Sequence, residues 1–169
     1  MEVRVVDAAG NDVGTGTEGE ILIRGRNVML GYFEDEQATK DAIDGAGWFH
    51  SGDVGMLDEH GCLRITDRIK DMFTVGGFNV YPAEVENVLA THPDISESAV
   101  IGIPDERMGT VALAYVVPRR ESAPVAEELI EYCKTRLANF KVPRKIVVRD
   151  ELPKNAAGKV LKAELRAAR

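Results

Sequence analysis

Hydrophobic and polar residues alternate in the first third of the chain, in a pattern typical of short β-strands. Residues 2–7 (EVRVVD) and 19–25 (GEILIRG) alternate in this way. Residues 47–67 (GWFHSGDVGMLDEHGCLRITD) predict two further strands around the turn DEHG. Residues 34–43 (EDEQATKDAI) have helical character. We therefore expect residues 1–67 to form a small β meander or barrel with one helical excursion.

The pattern changes after residue 67, where strand-like and helical segments begin to alternate. The predicted order is β-α-β-β-α-β-α, which is typical of a compact α+β domain. The predicted segments are strand 71–75, helix 82–92, strands 98–103 and 111–118, helix 124–140, strand 144–150 and helix 159–169. We place the domain boundary at the charged stretch DRIKD, residues 67–71. The fold class is therefore α+β, with a β subdomain followed by an α+β domain.

Composition predicts a soluble globular protein of the cytoplasm. The chain has 169 residues, enough to bury a core, and its longest apolar run, residues 111–118, is too short to cross a bilayer. Cys62 and Cys133 lie far apart, which predicts two free thiols in a reducing compartment. The three histidines form no metal-ligand pattern, so no metal site is predicted.

Charge is distributed unevenly along the chain. The net charge of −7 argues against a general nucleic-acid-binding protein. Up to Cys133 there are 10 basic and 25 acidic residues, a balance of −15, whereas from Lys134 onward 11 basic and 3 acidic residues give +8. The basic end is either a solvated helical surface or a surface that receives an anion.

Three short motifs upstream of the basic end could carry chemistry. Asp53 follows a glycine, and its carboxylate could accept hydrogen bonds from vicinal hydroxyls or simply belong to a turn. Arg68 and Lys70 lie two residues apart and would point the same way on an extended segment, or belong to a charged linker. Gly76 and Gly77 could let a ligand approach the backbone, or form a turn before the helix.

Lys159 follows a glycine in the stretch 152–160 (LPKNAAGKV), which suggests a phosphate-binding loop. A Walker A loop would need a glycine at position 153 and serine or threonine at position 160, where this chain has Pro153 and Val160. The loop therefore lacks both the backbone cradle and the magnesium-binding hydroxyl of that motif. Lys159 remains as a single positive charge, which is either functional or an ordinary surface lysine.

Five stretches, taken together and in this order, resemble successive motifs of the acyl-CoA synthetases in the adenylate-forming superfamily. They are residues 19–33 (GEILIRGRNVMLGYF), 47–61 (GWFHSGDVGMLDEHG), 67–86 (DRIKDMFTVGGFNVYPAEVE), 137–143 (LANFKVP) and 152–160 (LPKNAAGKV). The resemblance covers essentially the whole chain and indicates the C-terminal part of such an enzyme. One position departs from the family, because Phe78 stands where these synthetases often carry glutamate.

The resemblance implies an activity and a set of site residues. The family uses ATP, accompanied by Mg²⁺, to convert a carboxylic acid to an acyl-adenylate, and then transfers the acyl group to coenzyme A. By similarity, Asp53 and Arg68 would hold the ribose of the adenylate. Lys159 matches the lysine that contacts the carboxylate and the phosphate during adenylation. No magnesium ligand is assigned in this chain.

The resemblance also implies a division of the chain around a hinge. Residues 68–70 would form the hinge, with Lys70 at the hinge position, between the last β subdomain of a large domain (residues 1–67) and a C-terminal lid (residues 71–169). In the family, this lid rotates about the hinge between the two half-reactions. Gly76, Gly77 and Phe78 would line the channel of the pantetheine arm.

The family's phosphate loop and acyl pocket are not found in this sequence. We therefore expect a fragment that needs its own N-terminal domain as partner and is inactive alone. Two alternatives remain open: a non-catalytic module of the same fold that binds a nucleotide, coenzyme A or a protein, and an adenylation domain that serves a carrier protein.

Overall fold

The chain divides into two compact units, which are described separately. The computed structural model describes residues 1–120 and 122–168. Unit 1 is Met1–Lys70 and unit 2 is Asp71–Arg169. Arg169, which the sequence pattern places in the last helix, lies outside the described residues. None of the helices in the described part of the chain has the length and apolar character needed to cross a bilayer.

Unit 1 is an antiparallel meander. Its elements are β1 (Glu2–Val6), β2 (Gly19–Arg24), α1 (Glu36–Ala42), β3 (Phe49–Leu57) and β4 (Leu63–Arg68). The strands pair in the order β1-β2-β3-β4, so β1 and β4 are edge strands of an open sheet rather than neighbours in a barrel. Val6, Leu22 and Trp48 form a small buried cluster. The predicted meander and its helical excursion are confirmed.

Unit 2 is a mixed sheet with helices packed on it. Its elements are β5 (Phe73–Val75), β6 (Phe78–Val80), α2 (Pro82–Ala90), β7 (Ile95–Asp105), β8 (Gly109–Pro118), α3 (Ala126–Lys134), β9 (Lys145–Val148) and α4 (Lys162–Ala167). β5 and β6 form a hairpin, and the main sheet has the order β7-β8-β9. β7 pairs antiparallel with β8, and β8 pairs parallel with β9. The predicted α+β class is confirmed.

The long strands β7 and β8 are buried on both faces in their middle parts, as their apolar runs predict. One face contacts the apolar sides of α2 and α3 through a cluster that includes Val100, Ala114 and Leu129. The other face forms a second cluster in which Tyr115 and Leu152 pack with Leu165 of α4. Successive strand residues point to opposite faces, so β8 supplies side chains to both clusters. The loop before α4 is thus attached to the face opposite α2 and α3.

The helix α3 ends six residues before the end of the predicted segment. In its last turn the Arg136 N–H donates to the Cys133 carbonyl at 3.0 Å, which tightens the turn. In a continuing α-helix this N–H would donate to the Tyr132 carbonyl. That carbonyl accepts hydrogen bonds from the hydroxyl of Thr135 at 2.9 Å and the guanidinium of Arg136 at 3.1 Å. Side chains therefore replace the backbone donor that a longer helix would have supplied.

The helix α4 begins three residues later than predicted. Val160 bridges to Lys154, and the Leu161 N–H donates to the Pro153 carbonyl at 2.8 Å. These cross-loop hydrogen bonds occupy the backbone that the periodic pattern assigned to the helix. The sequence pattern also missed β6, whose residues Phe78–Val80 pair with β5.

The two cysteines differ in exposure, which predicts a measurable difference in their reactivity. Cys62 is exposed, whereas Cys133 is fully buried, and burial raises the pKa of the Cys133 thiol to about 11. At pH 8 only about one Cys133 side chain in a thousand would be thiolate. We expect a thiol reagent such as DTNB to titrate one cysteine per folded chain and two in denaturant. Rapid reaction of both thiols in the folded chain would contradict the packing of α3.

Candidate functional site: a free lysine on a fixed loop and a carboxylate–guanidinium pair

Lys159 lies in a tight hairpin loop between Leu152 and α4. The side-chain oxygen of Asn155 accepts hydrogen bonds from the N–H of Ala157 at 3.0 Å and of Lys159 at 2.9 Å. The Asn155 N–H donates to the Lys159 carbonyl at 2.9 Å, and Gly158 has φ +79°, where glycine is favoured. The loop therefore holds the backbone of Lys159 in a defined position.

The Lys159 side chain is exposed and pairs with none of the residues that the structure describes. Within the described residues, its ammonium has neither a carboxylate nor a hydrogen-bond acceptor in contact. The other described cations after residue 152 are all paired: Lys154 with Glu97 at 2.6 Å, Lys162 with Glu86 at 2.8 Å and Arg166 with Asp71 at 3.0 Å. Lys159 is thus the cation that this region leaves available to an anionic ligand.

Asp53 and Arg68 form an ion pair in unit 1. They are register partners on β3 and β4, and the Arg68 Nε lies 2.9 Å from the Asp53 Oδ1. The register shifts between Val54 and Gly55, a bulge that re-aims the side chains beside it. The Asp53 side chain is 24 % exposed and that of Arg68 is 45 % exposed. The pair therefore keeps free oxygen lone pairs and N–H groups that a polar ligand can reach.

Gly76 and Gly77 form the two-residue turn of the β5–β6 hairpin. Their φ angles are +57° and +87°, and the flanking residues Val75 and Phe78 are paired. Positive φ at both central residues is what a tight hairpin turn requires, and glycine adopts it without strain. The turn alone therefore accounts for both glycines, and it places Phe78 at the start of β6.

Phe78 contacts Phe140, an aromatic residue that is not among the predicted site residues. Its ring stacks on that of Phe140, with centroids 4.9 Å apart and an angle of 25° between the planes, and it remains 60 % exposed. Phe140 lies in the 3-10 turn Asn139–Lys141, within the stretch LANFKVP. Because this stretch is one of the five that resemble family motifs, it could have identified Phe140 as a candidate site residue. Phe140 is partly buried against the core, and the exposed ring of Phe78 offers an apolar surface beside the glycine turn.

The hairpin turn gives a stability prediction. Gly77→Ala is expected to lower the free energy of unfolding by about 1 kcal/mol, because the new Cβ meets no atom within 4 Å and only the backbone is strained. Gly76→Ala should cost more, because its Cβ would lie 2.6 Å from the Met108 Cε and that side chain would have to move. Urea denaturation followed by circular dichroism measures both values. The reverse ranking would contradict this account of the turn.

Lys70 lies in the 3-10 turn Ile69–Asp71, at the boundary between the two compact units. Arg68 and Lys70 therefore do not lie on one extended segment, because β4 ends at Arg68. Among the residues that the structure describes, no group of three or more His, Cys, Asp or Glu side chains could hold a metal ion.

Comparison with known proteins places this arrangement in a family. Residues 84–159 match the family described as AMP-binding enzyme C-terminal domain. The chain is 56% identical over 157 residues to a 3-[(3aS,4S,7aS)-7a-methyl-1,5-dioxo-octahydro-1H-inden-4-yl]propanoyl:CoA ligase of Rhodococcus jostii, covering 93% of this chain and 30% of the relative. It is 47% identical over 165 residues to a long-chain-fatty-acid–CoA ligase of Yersinia pestis, covering 98% of this chain and 29% of the relative.

Solved structures give the same result. ATP-bound MatB from Rhodopseudomonas palustris matches 99% of this chain with a TM-score of 0.93 and 37% identity, over 33% of its own length. The o-succinylbenzoate CoA synthetase MenE of Bacillus subtilis, in complex with the acyl-adenylate intermediate OSB-AMP, matches 99% with a TM-score of 0.87 and 42% identity, over 34% of its length.

The chain spans about 30% of the length of the curated relatives it matches. The part it matches is their C-terminal part, and the resemblance to acyl-CoA synthetases is confirmed. Residues 84–159 therefore belong to the family of AMP-binding enzyme C-terminal domains, and the chain as a whole is similar to the C-terminal part of adenylate-forming CoA ligases.

Proposed function

We propose that the chain acts as the C-terminal part of an ATP-dependent acyl-CoA synthetase, with Lys159 acting in adenylation. The observation that carries this proposal is the Lys159 ammonium, which has no partner among residues 1–120 and 122–168, on a hairpin loop with a fixed backbone. The neighbouring described cations are neutralised by carboxylates, so the loop presents one charge rather than a diffuse basic surface. The relatives named above are CoA ligases, which supports the same activity.

The proposed reaction has two steps. A carboxylate oxygen attacks the α-phosphorus of ATP, the bond to pyrophosphate breaks, and an acyl-adenylate forms. The thiol of coenzyme A then loses its proton to solvent, its sulfur attacks the acyl carbonyl carbon, the bond to the AMP oxygen breaks, and AMP leaves. Negative charge concentrates on the phosphate oxygens during the first step. The Lys159 ammonium would donate a hydrogen bond to these oxygens and to the attacking carboxylate, which lowers the barrier of this step.

Asp53 and Arg68 are proposed to bind the ribose of the adenylate. A carboxylate can accept hydrogen bonds from two vicinal hydroxyls, and the guanidinium of Arg68 holds the Asp53 oxygen at 2.9 Å. The partly exposed pair can make these contacts without breaking its own ion pair. Arg68 would thus orient Asp53 and also offer its free N–H groups to the ribose.

Lys70 is proposed as the hinge, and the turn at Gly76, Gly77 and Phe78 as the wall of the pantetheine channel. The 3-10 turn Ile69–Asp71 lies between two compact units, and a hinge needs only a few residues that change φ and ψ there. A side chain at Gly77 would project into open space, so glycine leaves room for a ligand beside the backbone. The stacked ring of Phe78 would give this wall an apolar surface.

The substrates of the proposed enzyme are a carboxylic acid, ATP and coenzyme A. Mg²⁺ would enter with ATP as part of the nucleotide substrate, since the described residues offer no group that fits a metal ion. The partner of the chain would be its own N-terminal domain, which would hold the acyl pocket and most of the nucleotide contacts. The proposed location is the cytoplasm.

ATP–pyrophosphate exchange with a panel of carboxylic acids tests the proposal. The full-length protein, meaning the product of the whole reading frame that contains this chain, is expected to catalyse exchange and to form acyl-CoA. The 169-residue chain alone is expected to show none. Exchange by the chain alone, or a reading frame without a preceding domain, would overturn the proposal. Acyl transfer to a carrier protein but not to coenzyme A would favour an adenylation domain. Nucleotide binding without ATP–pyrophosphate exchange would favour a non-catalytic binding module.

A further inference from the structure

Two ion pairs fix the short helix α4 to the rest of unit 2. Lys162 and Arg166 lie four residues apart and so on the same side of the helix. The Lys162 Nζ lies 2.8 Å from the Glu86 Oε1, and the Arg166 Nη2 lies 3.0 Å from the Asp71 Oδ1. The Lys162–Glu86 pair is the less exposed of the two, with side chains 16 % and 21 % exposed.

The Glu86 carboxylate is itself held by the sheet. Its Oε1 accepts a hydrogen bond of 2.7 Å from the backbone N–H of Val100, a fully buried residue of β7. Glu86 belongs to α2, so its carboxylate joins α2, β7 and the first residue of α4. Because the N–H of a buried strand residue cannot move freely, Lys162 is tied to a fixed point of the sheet.

This contact lies next to the Lys159 loop. Lys162 is three residues from Lys159, and the intervening Leu161 closes the loop through its hydrogen bond to Pro153. The helix α4 has six residues, of which Leu165 is the buried one. A single buried side chain holds the helix against the sheet but leaves its rotation about its own axis loosely defined. Directional ion pairs can define that rotation.

We propose that Glu86 is a positioning residue for Lys159. It acts through Lys162, whose ammonium it anchors to β7, and so sets the direction in which the Lys159 loop leaves the domain. The consequence for catalysis depends on the proposed function, whereas the consequence for the loop does not. A displacement of about 1 Å in a reacting group can slow a step by about a hundredfold. Loss of the anchor should therefore affect the step that uses Lys159.

Glu86→Gln is the test variant, because glutamine keeps the size of the side chain and an acceptor for the Val100 N–H but removes the charge. In the full-length protein we expect adenylation to slow by about tenfold. The transfer of the acyl group from added acyl-adenylate to coenzyme A should change by less than about twofold. Lys162→Met should reproduce this effect, and Lys162→Arg should largely retain activity. Because the two side chains act as one pair, the double variant Glu86→Gln with Lys162→Met should be no slower than either single variant.

Hydrogen–deuterium exchange of the same variants provides a readout that does not depend on activity. Glu86→Gln should speed exchange in the peptide 153–161 and leave β8 unchanged. Cys133→Ala is the control for general destabilisation, because Cys133 is buried in the apolar cluster that α2 and α3 form with the sheet, on the face opposite α4. It should lower stability without speeding exchange in the loop or changing the ratio of the two half-reactions.

The outcomes separate this proposal from the proposed function. If Glu86→Gln speeds loop exchange but the wild-type full-length protein has no adenylation activity, positioning by Glu86 is supported and the proposed function is overturned. Unchanged loop exchange in Glu86→Gln would overturn the positioning role even if the enzyme is active. Equal slowing of both half-reactions, as for a generally destabilised protein, would overturn it as well.

Discussion

Replacing Lys159 with methionine in the full-length protein is expected to slow acyl-adenylate formation by about 10²- to 10³-fold. Methionine keeps the length of the side chain and removes the one described cation after residue 152 that lacks a carboxylate partner. The effect should be confined to the first half-reaction, where charge develops on the phosphate. ATP–pyrophosphate exchange measures that step, and transfer from added acyl-adenylate to coenzyme A measures the second.

Lys154→Met is the matched control for Lys159→Met. Lys154 lies in the same loop, but its ammonium pairs with Glu97 at 2.6 Å on the surface of unit 2. Such an exposed pair contributes about 0–1 kcal/mol to stability, so its loss should change adenylation by less than about threefold. Equal loss of activity in both variants would show that the loop needs its total charge. A Lys159→Met variant with normal exchange would remove Lys159 from the mechanism.

The second large effect is expected for Asp53→Asn, which should lower kcat/KM for ATP by about 10- to 100-fold. Hydrogen bonds to a charged group contribute about 1.5–3 kcal/mol each, and asparagine loses the charge and one acceptor while keeping the shape. It also loses the ion pair with Arg68. Stability should fall by no more than about 1 kcal/mol, because both side chains are partly exposed. Steady-state kinetics and thermal denaturation measure the two effects separately.

Asp12→Asn provides the comparison for Asp53→Asn. Asp12 pairs with Arg4 at 2.6 Å in the same unit, so the substitution breaks a similar ion pair without altering Asp53. We expect normal kinetics with ATP for this variant. If Asp53→Asn changed only stability, the carboxylate would be a structural partner of Arg68 rather than a ribose ligand.

The elements that could be predicted from the sequence are those with a clear pattern of hydrophobic and polar side chains. The apolar runs of β7 and β8 indicated strands buried on both faces, and the alternation in β2 and β3 indicated the meander. It missed β6, because Phe78 and Asn79 are both exposed and the strand exists through its backbone pairing with β5. Its apolar-polar-apolar pattern is only three residues long, which is too short to identify a strand from sequence.

The candidate site could be predicted only in part for a similar reason. Lys159 and Lys162 are both lysines near a helix start, and the sequence does not show which of them is neutralised. The partner of Lys162 is Glu86, far away along the chain, so the distinction appears only after folding. The Phe78–Phe140 stack likewise joins two distant stretches. Motif positions identified candidates, whereas long-range pairing determined which charge remained available.

The hairpin around Lys159 also has an entropic consequence. Fixing the backbone of one residue costs about 1–2 kcal/mol of conformational entropy, and a disordered loop would incur this cost each time it closed on a ligand. In this loop the hydrogen bonds of Asn155 order the backbone when the domain folds. On binding, what remains to be ordered is the four-carbon side chain of Lys159. Little of the interaction free energy between the lysine and its anion is therefore lost to ordering the loop backbone.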